Sequence, residues 1–186
     1  MDAQRAIMRR MIIGLPPGGT DAAWEKDFAA YPPAGVIVFK RDFPDLDGLR
    51  RLTARLRALA RPRRIFIAID EEGGWVSQLG GHLVVPPNAL LLGRGAQPGD
   101  IEWASRVTGE RLRALGVDWV YAPVADVHSE PRNPVIGPRA YGTDPATVSA
   151  RIGEALRGLR AAGLAAASST SPGTATRAPI PTWRCP

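Results

Sequence analysis

The sequence predicts an α/β protein in which parallel strands alternate with amphipathic helices. Three observations carry that prediction. Residues 34–39 (AGVIVF) and 65–69 (IFIAI) are unbroken apolar, β-branched runs, which suit strands buried on both faces of a parallel sheet. Between such runs lie segments with leucines at helical spacing. The run at 65–69 then stops abruptly at Asp70, Glu71 and Glu72, followed by Gly73 and Gly74. A buried strand that ends this way places carboxylates at its C-terminal rim, where ligands bind in α/β sheets and barrels.

In chain order, residues 8–14 form a short apolar run ending in GLPPGG, a first strand and its loop. Residues 21–31 read as a short helix stopped by Pro32 and Pro33. Residues 34–39 are the second strand, followed by a polar loop over 40–47. Leu49, Leu52, Leu56 and Leu59 line one face of a helix whose other face carries arginines. Residues 65–69 are the third strand. Residues 101–115 form an amphipathic helix closed by Gly116, and 117–122 a fourth strand. Residues 148–159 form a last helix, followed by small residues and Gly163. Right-handed crossovers put every strand's carboxyl end on one face. Four such units fit either an open doubly wound sheet or part of a barrel. The phosphate-cradling G-x-G-x-x-G and Walker A patterns do not occur, so nucleotide binding is disfavoured.

Composition narrows the class. A chain of 186 residues can build one ordinary domain, and 45% hydrophobic residues with a mean hydropathy of −0.11 suit a soluble globular protein. Runs long enough to span a bilayer and a signal-peptide pattern are not found, so a cytoplasmic location with no membrane partner is expected. The single cysteine, Cys185, excludes a disulfide framework and a cysteine metal cluster. The net charge of +6 raises nucleic acid as a partner. That reading is set aside: the only lysines are Lys26 and Lys40, and the many arginines are spread along helix faces rather than clustered with aromatics.

The segment after the fourth strand, residues 122–142, is long, rich in Pro and Gly, and polar beyond a strand end. Loops of that length usually serve a function. Within it Arg139 is suited to clamp hydroxyls or a carboxylate, and Asp126 to brace the loop. His82 and His128 show no metal-ligand spacing and read as ordinary loop residues.

Taken together and in register, AGVIVF, IAIDEEGG-x-V-x-x-L, APVADV and NPVIGPRAYGTDP resemble the N-terminal (β/α)-barrel domain of family 3 glycoside hydrolases. The nearest branch is that of bacterial β-N-acetylhexosaminidases, and the likeness runs over residues 8–164. The resemblance implies a partial (β/α)8 TIM-type barrel, about its first half. It implies a carbohydrate substrate and no cofactor or metal. The activity implied is retaining hydrolysis of terminal β-linked N-acetylglucosamine from cell-wall muropeptides, in peptidoglycan recycling. It assigns Asp70 and Arg139 to sugar binding. The family's EGGRV-x-R has Trp75 and Gln78 at its two arginine positions here, which leaves Gln78 as the third substrate-binding residue and the sugar less firmly held.

After Leu164 the family pattern calls for a strand ending in KHFPGHGDT and an Asp-x-His pair. The chain instead reads AAASSTSPGTATRAPIPTWRCP, by composition a disordered tail over 165–186. A neighbouring reading frame from Ser168 accommodates VKHFPGHGDTRTDSHLALP, so a frameshift near residues 161–168 is expected to have replaced the genuine sequence. The histidine acid/base and the aspartate nucleophile of that branch would both lie in the lost part. This chain is therefore expected to hold no catalytic pair, to expose the apolar inner faces of its strands, and to be inactive. The alternative is a carbohydrate-binding fragment without catalysis.

Overall fold

The computed structural model describes residues 3–169. Five strands form one parallel sheet in the order β1 (Ile12–Gly14), β2 (Gly35–Val38), β3 (Phe66–Ile69), β6 (Trp119–Val124) and β7 (Ala165–Ser169). The strand order never reverses. A doubly wound sheet needs a switch point where the order turns back, so a monotonic order describes an arc of a barrel. The choice left open by the four β/α units is thereby decided. The tail boundary drawn after Leu164 falls just before β7, which continues the sheet through parallel pairing of Trp119 with Ala165 and Val120 with Ala166. Residues 170–186, including most of the expected frameshifted segment, lie outside the described residues.

The helices follow from local signals. Asp21, Asp45, Asn88 and Asp144 cap α2 (Ala22–Ala30), α3 (Leu46–Leu59), α4 (Ala89–Gly95) and α6 (Pro145–Ala161), each side chain accepting a backbone N–H three residues on. Helix α5 (Asp100–Ala114) packs along α6 through glycine. A Cβ on Gly158 would stand 2.1 Å from the Glu102 carbonyl oxygen, so any larger residue there would push the helices apart. The short helix α1 (Ala3–Met8) and α4 were not anticipated. Asn88 three residues before Leu91, behind the Pro86-Pro87 stop, was the readable signal for α4.

Pairing registers divide the sheet into two faces. Val36, Val38, Ile67, Ile69 and Val120 point to one side, are wholly buried, and join one core with Leu49 and Leu56 of α3 and Leu112 of α5. On the other side Phe66 is 55% exposed, and Ile37, Trp119 and Tyr121 are half-buried. The Trp119 and Tyr121 rings lie 5.6 Å apart on that side. The expected burial on both faces therefore holds for the helix side and only in part for the inner side.

At the amino ends of the strands, Asp118 stitches β3 to the start of β6. Its main-chain N–H donates to the Ile67 carbonyl at 2.8 Å, and its Oδ2 accepts the Ile67 N–H at 3.0 Å. The guanidinium groups of Arg57 and Arg113 donate to the same carboxylate at 2.7 and 3.1 Å.

Candidate active site

The carboxyl end of β3 leads straight into Asp70 and then a small antiparallel hairpin, β4 (Glu71–Gly73) and β5 (Val76–Ser77). Gly73 and Gly74 turn the hairpin at φ of 78° and 53°, values that favour glycine. Glu71 is buried inside it, and its Oε2 accepts the Leu79 N–H at 2.9 Å. Burial raises the Glu71 pKa, opposed by hydrogen bonds from Ser77, Leu79, Gln78 and Gly73. Glu71 is thus a brace for the hairpin. The acid run was visible in the sequence, but the division of labour among its three members was not.

Glu72 points the other way. Its two oxygens accept Nε and Nη2 of Arg139, both at 2.7 Å, across 67 residues of sequence. This is a bidentate, side-on pair, the strongest form of a carboxylate–guanidinium contact. Arg139 sits in a 3-10 turn, Gly137–Arg139, and its Nη1 also donates to the Val135 carbonyl at 3.2 Å. The turn is shaped by Asn133, whose Oδ1 accepts the N–H groups of Val135 and Ile136. The loop is closed where the His128 N–H donates to the Gly142 carbonyl at 2.9 Å. Donating to the Glu72 carboxylate raises the Arg139 pKa further, against the effect of burial, with Asp70 and Asp126 adding to the negative field. The guanidinium is held charged, with its side-on edge occupied by Glu72, one Nη1 hydrogen given to Val135, and one N–H on each of Nη1 and Nη2 left over for a ligand.

Asp70 completes the cluster. Its Oδ1 is buried and, among the described residues, has no hydrogen-bond partner. Burial, followed by the charge of Glu72, pushes its pKa up to about 6, while Arg139 pulls it down. A half-buried carboxyl of this kind can accept from, or when protonated donate to, a ligand hydroxyl. Asp70 and Arg139, both singled out from the sequence, are therefore brought within electrostatic reach of one another.

Gln78 stands apart. Its Oε1 accepts the Lys40 N–H at 2.8 Å and ties the hairpin to the loop after β2, where the Lys40 Nζ donates to the Gly80 carbonyl at 2.6 Å. Its amide Nε2 carries the only donors it has left for a ligand. The His82 ring packs against Phe43 with centroids 5.7 Å apart. Among the described residues no group of three or more His, Cys, Asp or Glu side chains is arranged to hold a metal ion. The partner of Arg139 is what sequence reading missed. Glu72 lay in plain view, but nothing in its local sequence names a residue so far along the chain.

A family model described as the glycosyl hydrolase family 3 N-terminal domain matches residues 16–177. The chain belongs to glycosyl hydrolase family 3. Its relatives include a β-hexosaminidase of Methylococcus capsulatus, 36% identical over 156 residues, which are 82% of this chain and 46% of that protein. Among solved structures, the family 3 β-N-acetylglucosaminidase from Paenibacillus sp. str. FPU-7 superimposes with a TM-score of 0.84 at 30% identity, over 93% of this chain and 34% of that one. NagZ from Neisseria gonorrhoeae, solved in complex with N-trifluoroacetyl-D-glucosamine, gives a TM-score of 0.78 at 25% identity, over 89% of this chain and 50% of that one. This family 3 chain thus spans about half the length, or less, of the relatives it matches.

Proposed function

We propose that this chain is the sugar-binding half of a β-N-acetylhexosaminidase active site. The observation that carries the reading is the Arg139 guanidinium, fixed by Glu72 beside an under-satisfied Asp70, at the carboxyl rim of the sheet in a family 3 chain. Asp70 and the remaining N–H donors of Arg139, one each on Nη1 and Nη2, receive hydroxyls of a terminal N-acetylglucosamine, and Gln78 contributes through its amide nitrogen. The whole enzyme acts by retention on β-linked N-acetylglucosaminides of cell-wall muropeptides in the cytoplasm. Retention requires two carboxyl-type or equivalent groups on either side of the glycosidic bond. The 186-residue chain supplies binding groups and not that pair, so it holds sugar without cleaving it. The family unit of residues 1–164 runs on into β7 (Ala165–Ser169), and the divergent end of the chain beyond it arose from a change of reading frame.

The test compares two proteins with a chromogenic N-acetyl-β-glucosaminide. The chain as given is expected to release no chromophore. A version restored to the neighbouring frame and completed to the length of its relatives is expected to turn over. Turnover by the 186-residue chain would contradict the placing of the catalytic groups. Sequencing the gene across residues 155–186 tests the change of frame separately, and a confirmed frame with no KHFPGHGDT in either neighbour would leave the carbohydrate-binding fragment as the reading.

A further inference from the structure

Trp75, in the turn between β4 and β5, is 77% exposed. Its position is not casual. It occupies the tip of the β4–β5 hairpin, whose one leg carries Glu72, clamped to Arg139, and whose other leg leads to Gln78. The tip is also rigid. The Gly74 N–H donates to the Pro86 carbonyl at 3.0 Å, Glu71 accepts from Leu79 beneath it, and the Gly80 N–H donates to Ser77 Oγ at 2.8 Å. A Cβ on Gly74 would meet Asn88 Cβ at 2.6 Å, so this side of the turn is pressed against the loop before α4. A large indole is thus held in water by a turn that cannot easily fold it away.

We infer that Trp75 is a stacking platform for a second sugar ring, the one linked to the residue held by Asp70 and Arg139. This rests on the sugar-binding reading of that pair. The depths agree with the order of the rings: Asp70 Oδ1 is buried and the Arg139 side chain is 20% exposed, whereas Trp75 stands outside them at the rim. In a β-linked pyranose the axial C–H bonds give each ring face an apolar patch. An indole offers a flat, amphipathic surface to such a patch with little conformational entropy to lose. The ligand class selected is therefore a β-linked oligosaccharide of N-acetylglucosamine rather than the free monosaccharide.

The experiment titrates the 186-residue chain with N-acetylglucosamine and with its β-1,4-linked disaccharide, following the tryptophan indole N–H signals by NMR. The native chain is expected to prefer the disaccharide by about five- to tenfold, the scale of one aromatic contact. Trp75→Ala removes the preference and leaves the monosaccharide affinity unchanged, and Trp75→Tyr restores most of it. Trp75→Gln, which places a polar side chain at the tip, behaves as Trp75→Ala, and unchanged monosaccharide affinity in both variants excludes a folding defect. A Trp75→Ala chain that keeps the full preference overturns the platform while leaving the Asp70–Arg139 reading intact. Failure of both sugars to bind, or monosaccharide binding unaffected by Asp70→Ala, overturns that reading and the platform with it.

Discussion

An aspartate within reach of arginine stands beside each end of β3, and the two are opposites. At the amino end Asp118 is saturated, with a backbone N–H of β3 and two guanidinium groups on one carboxylate. At the carboxyl end Asp70 keeps an oxygen buried without a partner among the described residues, and the nearby arginine is committed to Glu72 instead. A satisfied carboxylate holds strands together. An under-satisfied one raises its pKa and waits for a donor from outside the chain. The same residue type thus serves stability at one rim and, on the function proposed above, recognition at the other, as expected for the two faces of a β/α barrel.

The sharpest way to break this comparison is Glu72→Ala, which leaves the guanidinium of Arg139 in a half-buried site without its partner. Chemical denaturation should show a loss of about 3 kcal/mol, and sugar binding should disappear with the orientation of Arg139. Retained binding would mean that Arg139 is positioned by its loop alone. Next comes Asp118→Ala, with an expected loss of about 2 kcal/mol after allowing for its partly solvated arginines. Sugar affinity should stay within about twofold, because the amino rim takes no part in recognition. A large loss of affinity there would erase the distinction between the rims.

Asp70→Asn should act with the opposite sign on stability. Because the folded pKa of Asp70 is raised to about 6, the stability it contributes is complete below the ordinary value near 3.8 and is lost as pH rises through 6. The native chain should therefore weaken between about pH 4 and 6, and the neutral variant should weaken less, keeping only the share that Glu71 contributes. At pH 7 the variant should be more stable by about 1 kcal/mol, discounted for the solvent that reaches the group, and should bind sugar poorly. An unchanged pH profile in thermal unfolding would show that Asp70 titrates normally. Gln78→Ala is the mildest change, since it removes one acceptor for the Lys40 N–H at an exposed position. It should lower stability by about 0.5–1 kcal/mol and sugar affinity by a few-fold.

Much of this was legible beforehand because it is written in local patterns. The apolar runs at 34–39 and 65–69, the leucine stripe of α3 and the Gly116 cap after α5 report on their own neighbourhoods, and β2, β3, α3, α5 and α6 appear where those patterns place them. The sequence resemblance also marked Asp70 and Arg139. What stayed hidden is long-range. The Glu72–Arg139 pair joins residues 67 apart, and the role of Glu71 as a hairpin brace depends on a two-residue strand, β5, too short to announce itself. Gln78 was read as a ligand contact from its place in a motif, whereas the direction of its Oε1, toward Lys40, is set by tertiary packing.

The central claim, that Asp70 and Arg139 hold a terminal sugar which this chain cannot cleave, is tested most directly by one titration. Isothermal calorimetry of the 186-residue chain with N-acetylglucosamine, run alongside Asp70→Ala and Arg139→Ala, should give a saturable signal that each substitution weakens by at least about tenfold, with the sugar recovered intact. Binding that neither substitution alters, or no binding at all, would contradict the account.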